Sequence, residues 1–109
     1  MLSVRLSVSS AGLLRRFEAQ GHAGADLGKN IACAAATALL RTAERACRER
    51  GFVAQRLAAH PGQMSMVLGD LPESRTGWLR GVTDFLLRGM SDLQTEFPDQ
   101  IVLRVETED

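Results

Sequence analysis

Residues 21–35 read GHAGADLGKNIACAA, and how this stretch divides decides the fold. Gly21, Gly24 and Gly28 interrupt regular structure, and Asn30 has the side chain of a good helix N-cap. From Ile31 to Arg50 there is no Gly or Pro, and Ala, Leu, Arg and Glu dominate, so a helix is predicted over 31–50 until Gly51 ends it. Ile31, Ala35, Ala38, Leu39, Thr42 and Ala46 form a narrow, mostly small-residue face on that helix. Such a face predicts close packing against a sheet.

Before this join, Leu2, Val4, Leu6 and Val8 alternate with Ser3, Arg5 and Ser7, the period of a half-buried strand. Ser9 to Gly12 reads as a turn, and Leu13 to Gln20 as the returning strand of a hairpin. After the helix, Phe52–Ala58 and Met64–Leu68 are strand candidates joined through His60, Pro61 and Gly62, a second hairpin. Trp78, Val82, Phe85, Leu86, Leu93 and Phe97 recur at spacings of three and four, which predicts a helix over 74–97 that Pro98 stops. Ile101, Leu103 and Val105 alternate in a last strand. The predicted order is strand, strand, helix, strand, strand, helix, strand. This is an α+β fold in which two helices cover a mostly antiparallel sheet.

A chain of 109 residues is long enough for one core and short for two domains, so residues 1–109 are read as a single unit. Apolar residues make up 45% and charged residues 24%, an ordinary globular balance. Thirteen basic side chains offset thirteen acidic ones, leaving no overall field that would attract nucleic acid directly. MLSVRLSV lacks the plan of a secretory signal and no stretch approaches membrane-spanning length, so the expected location is the cytoplasm, without a membrane partner. The two cysteines, Cys33 and Cys47, lie fourteen residues apart on one predicted helix, ~21 Å in rise, too far for a disulfide. Free thiols fit a reducing compartment.

Cys33 falls in the first turn of the predicted helix, where unpaired N–H groups and the helix dipole favour a thiolate. His22, eleven positions earlier, ends the second strand, and the intervening glycines let the loop fold back over the helix start. A thiolate with an imidazole can run acyl transfer: sulfur attacks, and the imidazolium later protonates the leaving amine. Backbone N–H groups around Cys33 are candidates for the oxyanion, and Gly24 and Gly28 for a loop that opens and closes over a peptide. The other reading of the same residues is a glycine-rich turn with a solvated histidine and two small buried thiols. A zinc site built from His22, Cys33 and His60 lacks the usual ligand spacing, and no metal or cofactor is expected.

Gly21-His22-Ala23-Gly24, then Gly28-Lys29-Asn30-Ile31-Ala32-Cys33-Ala34-Ala35 and Thr37-Ala38-Leu39, resembles the signature of the ribosomal-processing cysteine protease family, Prp. That family carries Gly-His-Ala-Gly followed by Gly-x-Asp-Ile-Val-Cys-Ala-Ala-Val-Ser-Ala-Leu. The resemblance implies a homodimeric cysteine endopeptidase that trims the N-terminal extension of the precursor of large-subunit ribosomal protein number twenty-seven, cutting after a Phe-rich segment and before Ala. His22 and Cys33 match the family's catalytic pair, with Gly21, Gly24, Gly28, Asn30, Ile31 and Thr37 as substrate-loop and oxyanion candidates. Three positions depart from the pattern: Asn30 replaces Asp, Ala25 stands where an aromatic is common, and Thr37 replaces Ser.

A competing expectation is a catalytically silent ribosome-assembly or interaction protein of the same fold, with Asp70, Glu73, Glu96 and Asp99 as an acidic docking surface. A thiol redox protein is disfavoured because Cys33 has no neighbouring cysteine.

Overall fold

The computed structural model describes residues 1–21, 31–60 and 63–109, with side chains described for all of these except 54–60. Its elements are β1 (Leu2–Val8), β2 (Leu14–Gly21), α1 (Ile31–Glu49), β3 (Val53–His60), β4 (Gln63–Leu68), α2 (Thr76–Glu96) and β5 (Ile101–Thr107). The five strands form one sheet in the order β3-β4-β2-β1-β5. β1 with β2, β2 with β4 and β3 with β4 are antiparallel, while β5 joins β1 in parallel. The α+β architecture and the order of elements are those the sequence predicts.

Alternation builds the layers. Leu2, Val4 and Leu6 are buried and Ser3 and Arg5 exposed, so β1 turns one row of side chains to the core and the other to water. Phe17 and Ala19 of β2, Met66 and Leu68 of β4 and Ile101 of β5 extend the buried face. Ala32, Ala36, Leu40, Ala43 and Cys47 of α1 cover it together with Leu79, Thr83, Leu86 and Met90 of α2. Small alanines let α1 lie close to the strands.

This corrects the predicted sheet-facing stripe. Ile31 is exposed, as are Ala38 and Thr42, whereas Ala35, Leu39 and Ala46 turn sideways along α2. The helices approach so closely there that a Cβ on Gly89 would come within 2.9 Å of Leu39 Cδ1. Beside this contact, Leu39, Thr42, Ala46, Trp78, Val82 and Phe85 border an apolar groove of about 490 Å³. α1 carries alanine on several flanks, so hydropathy alone could not tell the sheet flank from the α2 flank.

Both ends of this layer are fastened locally. At the end of α1, Gly51 adopts φ 76°, its N–H donates to Arg48 O and the N–H of Phe52 donates to Cys47 O. That is the Schellman arrangement, and it sends Phe52 into the core. The predicted start of the second helix at Ser74 moves to Thr76, because Glu73–Arg75 forms a 3-10 turn first. In the β1–β2 hairpin, a register shift between Ser7 and Val8 brings Leu14 rather than Leu13 into the core. Leu14 N–H is satisfied by Thr83 Oγ1 of α2 at 2.9 Å, and that hydroxyl donates to Leu79 O at 2.7 Å. Thr83 is therefore a polar rivet between helix and sheet at a fully buried point.

Candidate active site

Two chain ends frame the described part of the site: the last residue of β2 and the first turn of α1. Gly21 closes β2 opposite Leu2 with φ 107°, a conformation that side chains resist. A Cβ there would collide with the carbonyl of Met1. Glycine is thus required for the chain to leave β2 at this point, immediately before the segment that carries His22. His22, Gly24, Gly28 and Asn30 lie outside the described residues.

α1 opens at Ile31, which is 62% exposed, so this first candidate residue stands at the surface. Cys33, the third residue of the helix, is half-buried and packs partly on the core. Its neighbours Ala32 and Ala36 point fully inward. Thr37 lies one turn further along the Cys33 flank and is also half-buried. The N–H groups of the first helical turn have no partner within the helix, and Cys33 belongs to that turn. A thiol so placed is partly reachable from solvent.

Cys47, on the same helix, is in the opposite situation. It is fully buried, and burial first, then the nearby Glu44 carboxylate, pushes its thiol up to about 11. A thiol held protonated and out of reach is neither nucleophile nor ligand. Both cysteines are free.

The sheet register brings the end of β3 to the same end of the sheet, since Gln63 stands opposite both Gln20 and His60. The side chain of His60 lies outside the described set. Among the described residues no group of three His, Cys, Asp or Glu side chains is placed to hold a metal ion. No described helix is long and apolar enough to cross a membrane. The four acidic residues proposed as a docking surface do not form one patch: Asp70 and Glu73 precede α2, and Glu96 and Asp99 lie at its far end, ~30 Å away for a helix of 21 residues. The sequence gives no signal for Thr83, whose role depends on a contact with a strand sixty-nine residues away.

The family model described as cysteine protease Prp matches residues 1–102. A search of curated proteins found no match. Among solved structures, a Streptococcus mutans protein superposes with a TM-score of 0.79 at 22% identity, over 99% of this chain and 96% of that one. A ribosomal processing protease Prp from S. aureus, in complex with a covalently linked product peptide, gives 0.78 at 19% identity over 97% and 100% of the two chains. The same protease with a substrate peptide gives 0.73 at 17% identity over 97% and 100%. At these identities the superpositions establish the fold.

Proposed function

The chain belongs to the cysteine protease Prp family, and from that premise we propose that it is a single-domain cysteine endopeptidase acting on a ribosomal protein precursor. Its substrate is the precursor of large-subunit ribosomal protein number twenty-seven, cut after a Phe-rich segment of the N-terminal extension. The observation that carries the reading is the family match across residues 1–102, with the one solvent-reachable thiol of the chain at the first turn of α1.

In this reading Cys33 Sγ attacks the scissile carbonyl carbon and the imidazole of His22 supplies the proton to the departing amine. Water then adds to the thioester, His22 takes its proton, and the sulfur leaves as thiolate. First-turn N–H groups receive the charge of the tetrahedral oxygen, and Thr37, one turn on, borders the same flank. Gly21, Gly24 and Gly28 shape the loop that admits the peptide, with Asn30 as its cap on α1. No cofactor is required, and no nucleic acid or membrane is engaged directly. The enzyme works in the cytoplasm as a homodimer.

The test uses a peptide carrying the Phe-rich segment before Ala, with cleavage followed by mass spectrometry. Cys33→Ala keeps the circular dichroism of the parent and loses cleavage, while Cys47→Ala keeps cleavage. Alkylation of the native protein labels Cys33 ahead of Cys47. Cleavage that survives Cys33→Ala refutes the assignment, and binding of the peptide by wild type without cleavage supports the silent interaction protein instead.

A further inference from the structure

β5 is an edge strand whose inner side pairs with β1 and whose outer side meets no other strand among the described residues. Leu2 N–H donates to Gln100 O and Glu108 N–H to Val8 O, so the even-numbered residues of this segment turn their backbone groups toward β1. The odd-numbered residues turn theirs outward. Two of these outward N–H groups are already taken by the end of α2: Ile101 N–H donates to Phe97 O and Leu103 N–H to Gln94 Oε1. The outward groups of Val105 and Thr107 have no such cover among the described residues. The end of the strand is nonetheless tied down, by Glu108 N–H on Val8 O, Arg16 on Glu108 at 2.9 Å and Ser10 N–H on Asp109. An ordered edge with open donors and acceptors is a template for a further strand.

The side chains say which strand fits. Arg104 stands beside Arg5 of β1 in the sheet register, and among the described residues it has no carboxylate partner. Glu106, two residues on and on the same solvent face, reaches Arg5 at 3.4 Å. An antiparallel copy of β5 centred on Val105 places Arg104 opposite Glu106 of the copy, and Glu106 opposite its Arg104. Centring on residue 104 or 106 instead sets arginine against arginine or glutamate against glutamate, and centring on 103 sets Arg104 against Val102 and Glu106 against Gln100, with no charge match. Only the Val105 register matches both the charges and the outward hydrogen-bonding residues. In it each Val105 exchanges two bonds with its counterpart, and each Leu103 faces Thr107 of the copy, whose N–H donates to Leu103 O and whose carbonyl takes the Leu103 N–H over from the flexible Gln94 side chain. Val105, 52% exposed, then closes against Leu87 and Leu103 of the hollow between α2 and β5.

We propose that the outer edge of β5 is the self-pairing surface of this protein, joining two copies into one continuous ten-stranded sheet about a two-fold axis at Val105. The proposal rests on the homodimer stated above and names its interface. The test is sedimentation equilibrium of the full chain from nanomolar to high micromolar concentration, with circular dichroism as the folding control. Arg104→Glu and Glu106→Arg each turn two attractive cross-strand pairs into repulsive ones and should raise the dimer dissociation constant about tenfold or more. The double exchange Arg104→Glu with Glu106→Arg restores both the pairs between copies and the partner of Arg5, so it should return to within about threefold of wild type. Val105→Pro removes an N–H that no in-chain ladder uses and should leave the monomer folded but unpaired. A wild-type dimer indifferent to all of these variants, and broken by Phe85→Asp in the helical groove, overturns the edge interface while leaving the homodimer intact. A monomer at every concentration overturns both.

Discussion

Raising the pH from 9 to 11 should selectively destabilise the wild-type protein through Cys47, and the size of the effect follows from its burial. In the folded chain the Cys47 thiol is pushed up to about 11 from an ordinary 9.0, mainly because a thiolate there would lose its water and secondarily because Glu44 repels it. Below pH 9 folded and unfolded chains are both protonated at this sulfur, and stability is undiminished. Between 9 and 11 the unfolded chain releases the proton while the folded chain keeps it, so stability falls as pH rises. At ~1.4 kcal/mol per pH unit the loss reaches roughly 2 kcal/mol by pH 11, where the folded thiol itself begins to ionise. The background is unusually clean, since the chain contains no Tyr and its sole lysine is Lys29. Cys47→Ala removes the titration at a constant cost of about 1 kcal/mol for the lost sulfur contacts. The variant should therefore be the less stable protein at pH 7 and the more stable one at pH 11. Urea unfolding followed by the fluorescence of Trp78, the single tryptophan, measures both; its ring lies edge-on to Phe52 at 5.5 Å with Arg50 4.3 Å from its centre, an environment that unfolding abolishes. Stability curves for the two proteins that stay parallel from pH 8 to 11 would refute the reasoning.

Thr83→Val strands the buried N–H of Leu14 and should cost about 1–3 kcal/mol, whereas Thr83→Ser keeps the hydroxyl and should cost less; urea midpoints at constant m decide between them. Gly21→Ala should destabilise by more than Gly12→Ala, since both have positive φ but only Gly21 faces a backbone carbonyl, and equal thermal midpoints would contradict that. Asn30→Asp tests what the family's Asp does: if it only caps α1, peptide cleavage stays within about twofold, because either side chain accepts from the first-turn N–H groups. An alkaline limb of the pH profile displaced upward, as a carboxylate beside the imidazolium would produce, defeats the capping account.

What could be read from the chain follows from the range of the interactions involved. Period-two alternation in residues 2–8 and the glycine-punctuated join at 21–30 are local, and they located β1, β2 and the start of α1 within a residue or so. The order of the strands is not local. That β5 lies beside β1 in parallel, and that β2 separates β1 from β4, depends on crossings over two helices that no short window records. The stripe on α1 failed for a related reason: alanine at 32, 35, 36, 38, 43 and 46 leaves the sheet flank and the α2 flank equally apolar, and only contact with Leu6 and Phe17 on one side and Gly89 on the other separates them.

The candidate site divides along the same line. Cys33 was legible because a helix start is written in its cap and its first turn, so the special position of that thiol needed nothing beyond residues 28–36. The contrast with Cys47 needed the fold. Two thiols with the same chemistry on the same helix become unlike only in the fold, which leaves 0% exposure at Cys47 and a half-buried position at Cys33. A spacing of fourteen residues is close to four helical turns, so both cysteines start from nearly the same angular position on α1. Position along the axis therefore separates them: Cys47 lies over the core where Phe52 closes it, and Cys33 lies in the first turn, packed only partly on that core beside the fully buried Ala32. Access to solvent, which Cys33 keeps in part and Cys47 loses, distinguishes the two thiols.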